Sequence, residues 1–131
     1  MNNTKATSLR RLAIVLAICA ISILAVPANS TMGDQDFTLV NKTGLTINEL
    51  YVCANSSNDW GKDILGNGKL DTNRTRDIIF KPGTKAARWD IKIIDENGKE
   101  HIKTNINLLD TEEITVKPNS KDDDGWVWIM K

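Results

Sequence analysis

Trp89-Asp90-Ile91-Lys92-Ile93-Ile94-Asp95-Glu96-Asn97-Gly98-Lys99-Glu100-His101-Ile102-Lys103-Thr104-Asn105-Ile106 is the stretch on which the fold turns. Trp89, Ile91 and Ile93 alternate with Asp90 and Lys92, the period of a half-buried strand. Asn97-Gly98 supplies the residues that a two-residue type I′ hairpin demands. Ile102, Thr104 and Ile106 then alternate with His101, Lys103 and Asn105. A two-residue loop sets a register in which Glu96 faces Lys99, Ile93 faces Ile102, Ile91 faces Thr104 and Trp89 faces Ile106. Those apolar partners share one face, and Asp90, Lys92, His101 and Lys103 share the other. Ile94 is the exception, on the polar face.

Other strands are expected on both sides of this hairpin. Asp36–Asn41 and Thr46–Ala54 are separated by the turn residues Lys42-Thr43-Gly44, which predicts that they pair as a hairpin. Thr75–Phe80 is a third strand, ended by Lys81-Pro82-Gly83. Glu113–Lys117 is a further strand, and Trp126–Met130 closes the chain. The expected fold is all-β: a small antiparallel β-sandwich or open barrel of about seven strands.

The N-terminus differs from the rest of the 131 residues. Lys5, Arg10 and Arg11 precede the apolar run Leu12–Val26, and Pro27-Ala28-Asn29-Ser30 follows. That order is the signature of a helical, cleavable signal peptide over residues 1–28, with cleavage after Ala28 or, as the alternative, after Ser30. The apolar run is short of the roughly 20 residues that a permanent span needs. Leu9 and Leu12-Ala13 around Arg10-Arg11 weaken a twin-arginine reading, and Ile18 before Cys19 argues against a lipoprotein. Residues 29–35 are small and polar, a disordered leader, and residues 36–131 form one domain. The expected location is the periplasm or the medium.

The whole chain balances 17 basic against 17 acidic residues, and the signal takes away three basic ones. The mature chain is therefore acidic overall, with no basic surplus to attract nucleic acid or anionic lipid. Cys19 also leaves with the signal, so no internal disulfide can form. Cys53 is then a buried apolar residue, an intermolecular bridge or a reactive thiol. Neither a cofactor nor a metal is expected.

Candidate sites lie in the irregular segment Asn55–Arg74 and in the last strand. Ser57 or Asn58 could cap one helical turn that puts Trp60 and Ile64 on one face, with Asp59 and Asp63 one turn apart. Paired carboxylates can do acid–base or glycosidic work. The plainer reading is a solvated loop in which Trp60 plugs the core. Trp126 and Trp128 share one face of the last strand, where they either stack on saccharide rings or fill the core. Val127 and Ile129 make that strand apolar on both faces, so something should cover it. Asp95-Glu96-Asn97-Gly98, Asp122-Asp123-Asp124-Gly125 and Asp63–Gly68 lack calcium-loop spacing and read as exposed turns. His101 is expected in solvent near Lys103, without a partner for zinc.

Several segments together resemble a known family. These are Phe37-Thr38-Leu39-Val40-Asn41-Lys42-Thr43-Gly44, Asn48-Glu49-Leu50-Tyr51-Val52, Asp59-Trp60-Gly61-Lys62-Asp63-Ile64-Leu65-Gly66 and Trp89-Asp90-Ile91-Lys92. They are similar to a family of small exported bacterial proteins with a signal peptide and one compact β-rich domain. The resemblance covers about residues 36–117, and it implies a fold rather than an activity. Some members carry the label argininosuccinate lyase, but that enzyme is a large helical tetramer and none of its active-site signature is present here. The resemblance also implies a cysteine pair at the positions of Ala87 and Leu109, near-neighbours in the hairpin register. An apolar contact is expected there instead, giving up roughly 2–4 kcal/mol of cross-link stabilisation.

The leading functional expectation is a non-enzymatic exported domain, a monomer or weak oligomer, that binds a protein or cell-envelope component through the Asn55–Arg74 loop. The alternatives are a carbohydrate-binding module using Trp126, Trp128 or Trp60, and a small hydrolase using Asp59 and Asp63.

Overall fold

The computed structural model describes residues 33–121 and 125–131. The expected signal peptide and the Asp122–Asp124 run lie outside them. Seven strands form two sheets: β1 (Phe37–Asn41), β2 (Ile47–Ala54), β3 (Thr75–Ile78), β4 (Trp89–Asp95), β5 (Glu100–Ile106), β6 (Glu113–Pro118) and β7 (Trp126–Met130). One sheet has the order β3-β1-β6-β7 and the other β2-β4-β5. Between them Phe37, Leu39, Leu50, Ile91, Ile93, Ile114 and Val116 are fully buried. In β1, β4 and β6 the buried apolar positions follow the alternation written in the strand, whereas in β2 a bulge between Ile47 and Glu49 breaks it and Ile47, Leu50 and Cys53 are the buried residues.

The expected β1–β2 hairpin does not form. β1 instead pairs antiparallel with β3 and parallel with β6, so the first sheet is mixed. The reason lies in Asn41, which is fully buried. Its Nδ2 donates to the Leu45 and Leu70 carbonyls at 2.8 and 2.9 Å. Its Oδ1 accepts from the Thr43 amide and hydroxyl at 3.0 and 2.7 Å. A side chain that satisfies so many backbone groups carries the chain from one sheet to the other.

The central hairpin forms, but one residue out of the expected register. Asp95 Oδ1 accepts from the amides of Asn97 and Lys99 at 2.9 and 3.1 Å, which holds Asn97 out of the left-handed region. Gly98 alone takes it, at φ +78°. The loop is therefore the three-residue kind ending in a glycine bulge, not type I′. The slip places His101 opposite Ile93 and Ile102 opposite Lys92. A one-residue slip turns every side chain over, so His101 is buried and Ile102 is 50% exposed. Asn105, at φ +60°, then bulges out and restores the expected Trp89–Ile106 pair.

Connections add three further corrections. No helical turn forms at Ser57 or Asn58; Ser56 and Asn58 are both left-handed. A 3-10 turn, Leu108–Asp110, was not anticipated; Asn107 caps it by accepting from the Leu109 amide. Ala87 and Leu109 are both exposed, Leu109 at 60%, so no buried apolar contact stands at those positions. At the start of the described chain, Gln35 is buried and clamps Ala86 through both ends of its amide group.

Candidate functional site

The outer face of β2-β4-β5 carries the densest chemistry. Tyr51 pairs with Lys92, and Lys92 with Ile102, so the three lie in a row across the sheet. Lys92 Nζ sits 4.7 Å from the Tyr51 ring centroid and 5.0 Å from that of Trp60. The Glu100 carboxylate is 3.9 Å from the same nitrogen. An ammonium between two aromatic rings gains from both quadrupoles. The Tyr51 hydroxyl donates to Glu49, and that bond to a carboxylate, with burial added, pushes the phenol up to about 12.

Trp60 thus lies outside the sheet over Lys92, and the expected Trp60 plug over the core does not form. Ile64 packs against the core instead, and Leu65 is buried within it. The loop reaches this position by pairing with the edge of β2. Ile64 N donates to the Leu50 carbonyl at 2.7 Å, and Leu70 exchanges two 2.9 Å bonds with Ile47. Asp63 Oδ1 accepts from the amides of Leu50 and Leu65 at 2.8 and 3.0 Å. Asp59 accepts from the Gly61 amide at 3.1 Å and is exposed. Both carboxylates of the expected pair therefore organise backbone, in a loop without the helical spacing that suggested pairing.

Beneath the start of this loop two groups are buried. Cys53 is a free thiol and pairs across the ladder with Asp90. Asp90 Oδ1 accepts from Asn55 Nδ2 at 2.7 Å and from the Asn105 amide at 2.9 Å. Burial pushes the Asp90 carboxyl up, but the bonds from Asn55, Asn105 and Ser56 outweigh it and leave the group below its ordinary value.

Trp126 and Trp128 face Pro118 and Val116 across the β6–β7 ladder and pack, half-buried, against the core. The Trp126 ring stacks on His101 at 3.6 Å and 7°. His101 Nε2 lies 2.9 Å from Asp95 Oδ2. Burial pushes the Asp95 carboxyl up, yet His101 and the two turn amides bring it below the ordinary value. Asp95, expected in an exposed turn, and His101, expected in solvent, thus form a buried pair. Among the described residues no three or more His, Cys, Asp or Glu side chains gather as a metal would require. No described helix is long and apolar enough to cross a membrane.

Asp59, Trp60, Asp63, Trp126 and Trp128 are the candidates expected from sequence; Tyr51, Lys92 and Glu49 stand outside that set. Tyr51 and Lys92 were findable, because each occupies the polar phase of its own strand. Which strands would be neighbours was not.

No family model matches the chain, and no curated protein matches it. Among solved structures it is similar to the NMR structure of a protein from Eubacterium rectale. The two share 16% identity with a TM-score of 0.53, over 81% of this chain and 93% of that one. Likeness at that identity shows the fold, a small β-rich domain.

Proposed function

We propose that this is an exported binding domain without a catalytic centre, which docks a protein or another envelope component on the outer face of β2-β4-β5. Export rests on the signal-like order of residues 1–30. The observation that carries the docking face is the Tyr51–Lys92–Trp60 stack beside Ile102. Tyrosine and tryptophan fixed on a rigid sheet, next to an exposed isoleucine and flanking charges, have the make-up of an interface centre. The commitment of Asp59 and Asp63 to backbone amides weighs against the hydrolase reading.

A carbohydrate ligand is the second reading. Trp126 and Trp128 turn toward the core, so the rings available for sugar stacking would be those of Trp60 and Tyr51, with Glu49 and Glu100 as polar partners.

The test uses the exported chain as bait in its own envelope extract. Trp60→Ala and Ile102→Asp should each lose the captured component, while Leu109→Asp, on a different exposed surface, should keep it. Equal capture by all three variants would remove this face from consideration. A glycan-induced change in tryptophan fluorescence that disappears in Trp60→Ala would favour the carbohydrate reading.

A further inference from the structure

We propose that the outer edge of β3 is a second binding surface, which takes an extended acidic peptide as an added strand. The inference does not rest on the β2-β4-β5 face. Among the described residues β3 ends its sheet, with β1 on one side and no strand on the other. The Asn41 amide donates to the Arg74 carbonyl. By the alternation of an antiparallel ladder, the Arg74 carbonyl and the backbone groups of Arg76 and Ile78 then turn to β1, while the Arg74 amide goes to the Asp71 carbonyl, and Thr75, Asp77 and Ile79 turn their groups outward. Among the described residues nothing pairs with those outward groups. The edge of β2, by contrast, is covered by the 63–70 connection.

Charge says what kind of strand fits. Between residues 74 and 88 stand Arg74, Arg76, Lys81, Lys85 and Arg88 against the single acid Asp77. All five cations are exposed, and among the described residues none has an ion-pair partner. Asp77 accepts from the Thr38 hydroxyl at 2.8 Å. In a chain acidic overall once the signal is removed, this is a basic run: Arg74 and Arg76 stand at β3 itself, and the other three follow in the connection to β4. Charges of one sign also guard a sheet edge against pairing with its own copy; the same bias, five basic charges in six, leaves the edge complementary to a strand that carries acids. Arg74 and Arg76 lie on the side of the strand that carries Ile78, while Ile79, 64% exposed, lies on the other. An incoming strand with acids at alternate positions would meet the arginines on one face and present apolar groups to Ile79 on the other.

The probe is a short blocked peptide of alternating Glu and Val, with its Lys–Val counterpart as control. The Glu–Val peptide should bind and shift the amide signals of Thr75, Asp77 and Ile79. Arg74→Glu combined with Arg76→Glu should weaken binding about tenfold, the size of two exposed attractions turned into repulsions. Thr75→Pro should also weaken it, because it removes an outward donor while leaving the β1 ladder and the charge intact. If Thr75→Pro does not fold, N-methylation along one edge of the peptide makes the same test on the native chain. Equal binding of the Lys–Val peptide would overturn the proposal. So would binding of Glu–Val that is indifferent both to Thr75→Pro and to N-methylation. Phosphatidylglycerol vesicles that bind tightly while the Glu–Val peptide does not would overturn it in favour of a lipid surface.

Discussion

The imidazole of His101 lies parallel to the indole of Trp126 at 3.6 Å, and this contact joins β5 of one sheet to β7 of the other. The same imidazole holds Asp95, and Asp95 holds the β4–β5 turn. One line of contacts therefore ties a hairpin tip to the opposite sheet.

His101→Ala should destabilise the domain by about 2 kcal/mol, because it leaves the buried Asp95 Oδ2 without its partner and opens space beside Trp126. Asp95→Ala should cost more, since the Asn97 and Lys99 amides also lose their acceptor. Urea denaturation of both variants checks the order. A double-mutant cycle between His101 and Trp126 should give a coupling of about 0.5–1.5 kcal/mol.

Stability should fall in acid. Asp90 and Asp95 are held below the ordinary carboxylate value of 3.8 in the folded chain. A depressed folded value contributes stability above the unfolded pKa and loses it as pH falls through the folded one. Thermal melts followed by circular dichroism should be flat in this contribution down to about pH 4, then drop. Asp95→Asn should be less stable at neutral pH and show a shallower acid drop.

Tyr51 is the sole tyrosine, so phenolate absorbance reports it alone. Its titration should centre near 12, because ionising the hydroxyl breaks its bond to Glu49 and sets two anions side by side. Glu49→Gln should bring the midpoint back toward 10. The raised value favours the folded chain below the unfolded pKa, and that advantage fades as pH climbs through the folded one. An unchanged midpoint in Glu49→Gln would show that Glu49 is not the cause.

Backbone geometry predicts a contrast between a turn position, Gly98, and a bulge position within β5, Asn105. Gly98→Ala should cost about 1 kcal/mol, since Gly98 sits at φ +78°. Asn105→Gly should be neutral or stabilising, and Asn105→Val should cost more than 1 kcal/mol because a β-branched residue resists φ +60°. Thermal melts of the three variants test the order.

Strand alternation was legible because it is written locally. Trp89, Ile91 and Ile93 point inward on any neighbour, and the bounds of β7 coincide with the expected Trp126–Met130. The turn after Asp95 was misread for an equally local reason. Asn97-Gly98 suits a type I′ turn, but the Asp95 carboxylate claims the Asn97 amide first and shifts the hairpin by one residue. The helical turn expected near Trp60 failed because the 63–70 segment finds its backbone partners on the β2 edge, a contact between distant parts of the chain.

Sequence alone determined that this chain makes about seven short strands around one apolar core, since period and turn residues act within a few positions of each other. Only the tertiary structure decided which strands became neighbours. Buried Asn41 sent β1 and β2 to different sheets, and the Asp95 turn put His101 inside against Trp126 while leaving Ile102 outside. Lys92 met Tyr51 and Trp60 because β2 and its following loop closed over β4. Each outcome depends on where buried polar groups find their partners, and those partners come from segments far apart in the chain.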